Sequence, residues 1–189
     1  MTATAEKALQ SAIAPRPFKL IDPEKQLEWV DGRAVIKEAS GARHSRIGLR
    51  LAAQLGEYLK TNPIGEIYGA DTSFTFGENE RIPDMAFVSA ARIPPEGDPV
   101  GVWPIAPDLA AEIVSPNDLF EALEARIRDY FASGVQQVWL VSPQFETVTI
   151  YDSPVKAAIL HAGDELTSPA LLPGFRCPVA ALFQPVVRA

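Results

Sequence analysis

The sequence predicts a domain of the mixed α/β (α+β) class, in which helices flank a mixed β-sheet. The chain has 189 residues, of which 47% are hydrophobic and 22% are charged, as in a globular domain of ordinary size. Stretches with apolar residues at helical spacing alternate with several short apolar runs, which is the order expected of a sheet with helices packed on it. The 17 prolines and 12 glycines predict short elements joined by firm turns. We expect an N-terminal tail at residues 1–24 and a single domain at residues 25–189.

The first half of the chain predicts a hairpin, a helix and three strands. Asp31-Gly32 separates two apolar-rich runs, at 27–30 and 33–36, and this is a strong signal for a two-residue hairpin turn. Residues 43–60 carry apolar side chains at helical spacing, and Asn62-Pro63 ends that pattern. Three short strands, the last two separated by a turn at 77–79, are then predicted at 66–68, 72–76 and 81–88.

The second half predicts a loop, a central strand, a second helix and further strands. Residues 89–107 are rich in proline and glycine and are predicted to form a loop, whereas residues 109–114 form the most apolar strand in the middle of the chain. Asp118 with Glu121 fits the side-chain pattern of a helix start, and Gly134 fits a helix end at about Ser133. The remaining segments are predicted to be strands and turns: 138–141, 147–151 and 157–183.

Composition and charge exclude several classes of protein. The single cysteine, Cys177, cannot form a disulfide framework and is expected to be a small core residue, and with only two histidines a Cys/His zinc site is not expected. A formal charge of −7 argues against general affinity for nucleic acid, so such a role needs a local basic patch. The sequence has no run of about 18 uncharged apolar residues and no secretion-signal pattern, so we expect a cytoplasmic protein without a membrane partner.

Two carboxylates stand in sequence contexts that are unusual for a solvated charge. Glu112 lies inside the apolar strand at 109–114, where an ionised side chain is costly unless it is paired or binds a metal. Asp84 follows Pro83 and opens another apolar strand, so it is expected at the mouth of that strand. If the two strands are neighbours, the carboxylates converge, as in a site for a hard cation such as Mg²⁺. The alternative is that Glu112 faces solvent on an edge strand and Asp84 caps a turn.

The second predicted helix carries an arginine inside its apolar face. At about 100° per residue, Arg126 falls within the stripe that begins at Leu119 and is expected to point toward the sheet. A buried cation needs an anion, and Asp84 and Glu112 are candidate partners. The alternative is a side chain that extends to solvent at the edge of the stripe and pairs with Asp129.

The first predicted helix carries a basic stripe. Arg43, Arg46 and Arg50 share one face, away from the apolar face, and could contact the phosphates of a nucleic acid. A solvated helical face is the alternative interpretation. His44 falls on the apolar face near the helix start, where a core or capping histidine is the default expectation and a catalytic role is the alternative.

Several motifs carry a resemblance to one family. They are WVDGR, GARHSRI, RIPDMAFVS, PDLAAEIVSPND, RDYFASGVQQVWLVSP ahead of TVTIYDS, and LLPGF. The sequence resembles the Uma-type family of "putative restriction endonucleases", a branch of the PD-(D/E)xK nuclease superfamily, over roughly residues 25–185. The resemblance implies a restriction-endonuclease-like core and hydrolysis of DNA phosphodiester bonds with Mg²⁺ (or Mn²⁺). By analogy with restriction enzymes it also implies a homodimer.

The resemblance assigns roles residue by residue and exposes one departure. Asp84 and Glu112 would be the two metal-binding acids, and the main-chain carbonyl of Ile113 would be a further metal ligand. The superfamily lysine would stand at Val114, and in this branch it has moved to the position of Arg126. No lysine lies between residues 60 and 156 to replace it. Arginine keeps the charge, so Arg126 would be the third catalytic residue, which orients the scissile phosphate and stabilises its developing charge. Because arginine cannot readily release a proton, one alternative is a catalytically inactive nuclease-fold module that binds protein or nucleic acid. A metal-free structural protein is the other alternative.

Overall fold

The structure is a computed structural model that describes residues 26–37 and 40–185, so the predicted tail at residues 1–24 lies outside the described residues. The α-helices of the described part are α1 (Ala42–Thr61), α2 (Phe120–Ala132) and α3 (Val179–Phe183), and a short 3-10 helix spans Ala90–Arg92. Its strands are β1 (Gln26–Val30), β2 (Arg33–Lys37), β3 (Gly65–Gly69), β4 (Phe74–Phe76), β5 (Asn79–Arg81), β6 (Met85–Ser89), β7 (Leu109–Ile113), β8 (Gln137–Ser142), β9 (Thr147–Ser153), β10 (Lys156–Leu160), β11 (Glu165–Ser168) and β12 (Leu172–Pro178). No helix in this part of the chain is both long enough and apolar enough to cross a membrane.

A six-stranded mixed sheet organises the molecule, in the order β10-β9-β8-β7-β6-β3. The pair β7 and β8 is parallel, and the other neighbours in this sheet are antiparallel. A second sheet has the order β2-β1-β5-β4, and β11 pairs with β12. The central position of β7 explains why the segment that carries Glu112 is almost wholly apolar, since both of its faces are covered.

Two hydrophobic clusters cover opposite faces of the six-stranded sheet, because successive residues of a strand point to opposite faces. On one face, the buried residues of α1 pack against Ala111 and Ile113 of β7. On the other face, Ile127 and Tyr130 of α2 pack against Ala110, together with aromatic residues of β4. The predicted mixed sheet flanked by helices is therefore confirmed.

The structure departs from the predicted elements at three places. The predicted strand at 81–88 is broken, because β5 ends at Arg81 and joins the smaller sheet, whereas β6 begins at Met85 in the larger one. Pro83 lies between them, and its missing N–H suits a break in a ladder. Helix α2 begins at Phe120 without a side-chain cap, because Asp118 instead accepts the main-chain N–H of Ser115 at 2.7 Å. The short helix α3 replaces the end of a segment predicted as strands and turns.

Close packing at the start of β3 leads to a first prediction. A methyl group added at Gly65 would lie 2.3 Å from the main-chain oxygen of Val88 and 2.6 Å from the Phe87 ring. We therefore expect Gly65→Ala to lower the free energy of unfolding by about 1–3 kcal/mol, as measured by urea denaturation. Gly69→Ala, at the other end of the same strand with no atom within 4 Å of the added carbon, is the matched control. Equal stability of the two variants would contradict this packing.

Candidate active site

Asp84 lies immediately before β6, with both of its carboxylate oxygens engaged. The register of β6 against β7 pairs Met85 with Ala111, so its extension by one residue brings Asp84 opposite Glu112. Oδ1 accepts a hydrogen bond from Nζ of Lys37 at 2.9 Å. Oδ2 accepts the main-chain N–H of Ile113 at 2.8 Å and lies 2.9 Å from Nε2 of His44. Burial alone would raise the pKa of Asp84, but the His44 hydrogen bond and the Lys37 charge lower it to about 2.

Glu112 projects from the centre of β7 toward α2. Its Oε2 accepts a hydrogen bond from Arg126 at 2.9 Å, and its Oε1 accepts the hydroxyl proton of Tyr130. Burial raises the pKa of Glu112, and the charge of Arg126 opposes that rise. The edge-strand alternative for Glu112 is wrong, because β7 lies between β6 and β8 and the residue is buried.

The structure brings the two predicted acids to one cavity. Asp84 and Glu112 both line a space of about 380 Å³, together with Lys37, His44 and Arg126. Asp84 also lines a neighbouring space of about 1020 Å³, which extends along α1 toward β3. The cavity can therefore admit a ligand that contacts both carboxylates.

Arg126 points toward the sheet, and two glutamates hold it. Besides its bond to Glu112, it donates a hydrogen bond to Oε2 of Glu28 at 3.2 Å. The charge of Glu112 raises the pKa of Arg126, so the guanidinium stays protonated. The predicted alternative partner, Asp129, instead accepts hydrogen bonds from Arg81. Asp84, the other predicted partner of Arg126, pairs with Lys37 and His44.

The hairpin of β1 and β2 contributes site residues that the sequence analysis missed. Glu28 of β1 is buried and accepts the main-chain N–H of Ile82 at 3.0 Å as well as the Arg126 hydrogen bond. Lys37, the last residue of β2, reaches Asp84. A glutamate inside an apolar strand is the same signal that marked Glu112, and it could have identified Glu28.

His44 faces the cavity and does not cap α1. Gly41 is the N-cap residue of α1, and no side chain forms a capping hydrogen bond at this helix end. Nε2 of His44 instead lies beside Asp84. Burial lowers the pKa of His44, but the hydrogen bond and charge of Asp84 outweigh burial and leave the pKa above 6.5. The fold therefore favours the charged imidazole, whose contribution to stability is complete below pH 6.5 and is lost as the pH rises through the folded-state value.

This contact predicts a titration in the metal-free protein. We expect the pKa of His44 to lie above 6.5 in the native sequence and below 6.5 in Asp84→Asn, because burial remains when the charge is removed. Nuclear magnetic resonance of the His44 imidazole protons measures both values. A His44 titration that is unchanged by the substitution would contradict the contact.

The donor set suits a hard divalent cation. The carboxylates of Asp84 and Glu112 and the main-chain oxygen of Ile113 are the oxygen ligands that Mg²⁺ prefers, usually with waters and substrate phosphate completing the shell. Among residues 26–37 and 40–185, no group of three or more His, Cys, Asp or Glu side chains is arranged to hold a metal. A site with two protein carboxylates is compatible with that finding, since Mg²⁺ commonly uses one or two.

The predicted basic stripe of α1 lies outside both cavities. Arg43 is exposed and donates to Glu146 at 3.2 Å, whereas Arg50 donates to the main-chain oxygens of Leu182 and Gln184 at 3.2 and 2.6 Å. Arg46 is half-buried, and its Nε has no hydrogen-bond partner within the described residues. A role of these three arginines in nucleic-acid binding stays a prediction, and Arg50 already has a structural role at the end of α3.

Comparison with known proteins identifies the family. The model of the Uma2 family, whose description is "Putative restriction endonuclease", matches residues 15–180. The chain belongs to this family. The Uma2 match includes both acids of the cavity and Arg126, and it confirms the resemblance seen in the sequence motifs. No curated protein matches the chain.

The fold of this Uma2 protein also occurs in a solved structure. The crystal structure of "a putative nuclease belonging to DUF820 from Anabaena variabilis" matches with a TM-score of 0.75 and 23% sequence identity. The match covers 83% of this chain and 89% of that chain. At this level of identity the likeness shows a shared fold, and the predicted nuclease-like core is thereby confirmed.

Proposed function

We propose that this Uma2 protein is a metal-dependent nuclease that hydrolyses phosphodiester bonds of DNA. The observation that carries the proposal is the shared cavity of Asp84 and Glu112, two acids from separate strands, with Arg126 beside them. Membership of a family described as "Putative restriction endonuclease" and the fold shared with "a putative nuclease" support the same reaction class.

The cavity residues would divide the chemistry of hydrolysis. Asp84, Glu112 and the main-chain oxygen of Ile113 would hold Mg²⁺ or Mn²⁺, and such an ion lowers the pKa of bound water and neutralises charge on the phosphate. Arg126 keeps the Glu112 carboxylate in a fixed orientation through its hydrogen bond. In the reaction, a water oxygen forms a bond to phosphorus as the bond to the leaving oxygen breaks. The water loses a proton and the leaving oxygen gains one, which yields a phosphate monoester and an alcohol.

Cleavage and cation binding test this proposal together. Purified protein incubated with plasmid or single-stranded DNA should cleave it in Mg²⁺ or Mn²⁺ and stop when the metal is chelated. Calorimetry should detect divalent-cation binding that Glu112→Gln weakens, with cleavage lost in the same variant. Cleavage that survives Glu112→Gln, or a protein that binds no divalent cation, would contradict the assignment.

A catalytically inactive nuclease-fold module is the second candidate. The observation that favours it is that each acid already has a cationic partner: Asp84 pairs with Lys37, and Glu112 pairs with Arg126. Arg126→Lys, which restores the residue type implied by the family motif, separates the two candidates. Cleavage that appears only in this variant would identify the native chain as the inactive module.

We also propose a homodimer, by analogy with restriction enzymes that cut both strands of a duplex. Light scattering of the eluting protein should give twice the chain mass of 20.5 kDa. A monomer at every concentration would overturn this proposal and leave the site assignment unaffected.

A further inference from the structure

Lys37 contacts Asp84, although it lies far along the chain from Arg126, the position at which the family motif has its lysine. Lys37 closes β2, and its Nζ lies 2.9 Å from Oδ1 of Asp84 and 2.5 Å from the main-chain oxygen of Ile82. Its side chain is only 12% exposed, yet the residue lines both the smaller and the larger cavity. Lys37 therefore lies where the two cavities meet, beside the acid at the mouth of β6.

The side chains of Lys37 and Arg126 differ in how their hydrogen-bond donors are used within the protein. Arg126 lies between two carboxylates, with one terminal nitrogen bonded to Glu112 and the other to Glu28. The Lys37 ammonium has three N–H donors. In the described part of the chain, Asp84 and Ile82 accept two of them, which leaves one for an oxygen atom of a ligand.

We propose that Lys37 is the catalytic residue that binds the scissile phosphate, and that Arg126 is a positioning residue that holds Glu112. This role rests on the proposed nuclease function, and in it Lys37 contributes a positive charge and a hydrogen-bond donor. A cation directed at the phosphate stabilises the additional negative charge of the transition state, as a donor at an oxyanion does. Lys37 would then take the role of the superfamily lysine from a different position in the chain, while arginine occupies position 126.

Binding without metal tests the phosphate contact independently of cleavage. The probe is a short fluorescein-labelled single-stranded DNA in EDTA, with fluorescence anisotropy recorded over a range of salt concentrations. Loss of one phosphate contact in Lys37→Met should weaken binding about tenfold and reduce the slope of log affinity against log salt by about 0.7–1. Lys60→Met removes the same charge from a side chain that is 71% exposed, and its slope should equal that of the native protein.

Cleavage rates with Mg²⁺ provide the second measurement. Lys37→Met should lower kcat/KM about 10²–10³-fold and Lys37→Arg should recover part of that loss, whereas the surface control Lys60→Met should cleave at about the native rate. Thermal unfolding verifies that each variant is folded. If Lys37→Met fails to fold, Lys37→Arg and Lys37→Gln provide the comparison of charged with neutral side chains.

The outcomes separate this proposal from the nuclease function. A folded Lys37→Met variant with native binding and an unchanged salt slope overturns the role of Lys37, whether or not the protein cleaves DNA. A native protein that binds DNA with a slope dependent on Lys37 but cleaves nothing overturns the nuclease function and retains the phosphate contact. A native protein that does not bind the probe at all overturns the Lys37 proposal.

Discussion

Asp84→Asn is expected to lower kcat/KM for DNA cleavage about 10³-fold. In the proposed function Asp84 would be a charged ligand of the divalent cation, and the substitution replaces it with a neutral amide. The stabilisation of transition-state charge by such a cation is worth several kcal/mol. The substitution also removes the counter-charge of Lys37, which lies 2.9 Å away. Initial rates of plasmid nicking at saturating Mg²⁺ measure the effect.

Asp152→Asn is the matched control for this loss. Asp152 is an exposed aspartate that pairs with Lys156 at 2.9 Å and lines neither cavity. The Asp152→Asn variant should cleave within about twofold of the native rate, because surface substitutions outside the cavities usually have small effects. If Asp84→Asn and Asp152→Asn cleaved equally well, Asp84 would have no part in the reaction.

Glu28→Ala is expected to lower the free energy of unfolding by about 3 kcal/mol. Glu28 is buried, bonds to Arg126 at 3.2 Å and lies 3.6 Å from Arg81, so its removal deprives two guanidiniums of a shared anion. It also leaves the main-chain N–H of Ile82 without its acceptor. Removing one partner of a buried ion pair is costly because the remaining charge stays desolvated. Urea denaturation monitored by tryptophan fluorescence measures the change.

An exposed ion pair provides the comparison for Glu28. Glu57 pairs with Lys60 on the surface of α1, and both side chains are mostly exposed. Glu57→Ala should change the free energy of unfolding by about 0.5 kcal/mol or less, since solvent screens such pairs. Similar losses in the two variants would show that the network around Glu28 is not a buried one.

Local sequence patterns were sufficient to predict helices α1 and α2 and to single out Asp84 and Glu112. The apolar spacing of α1 and the context of Glu112 inside an apolar strand depend only on neighbouring residues. The hairpin was predicted for the same reason: Asp31 and Gly32 have φ values of 49° and 74°, which the two-residue turn between antiparallel strands requires. Arg126 was placed correctly because helical periodicity fixes the face on which it lies.

The missing parts of the site depend on contacts between distant segments. Lys37 lies 47 residues from Asp84 along the chain, and Arg126 lies 98 residues from Glu28. These contacts follow from how the hairpin packs near the mouth of β6, which no local pattern encodes. The predicted helix start at Asp118 was wrong for a different reason. The Asp118 carboxylate accepts the main-chain N–H of Ser115, and this local turn competes with capping of the helix.

Successive side chains of β7 point to opposite faces of the sheet, so the position of Glu112 in the cavity depends on the register of β7. Ala111 and Ile113 belong to the apolar cluster under α1, whereas Glu112 points the other way, to Arg126 and Tyr130. A one-residue slip of β7 would exchange these faces and drive a carboxylate among aliphatic side chains with no counter-ion. A misaligned central strand is therefore heavily penalised, and the same acid that equips the cavity helps the chain to reject wrong pairings as it folds.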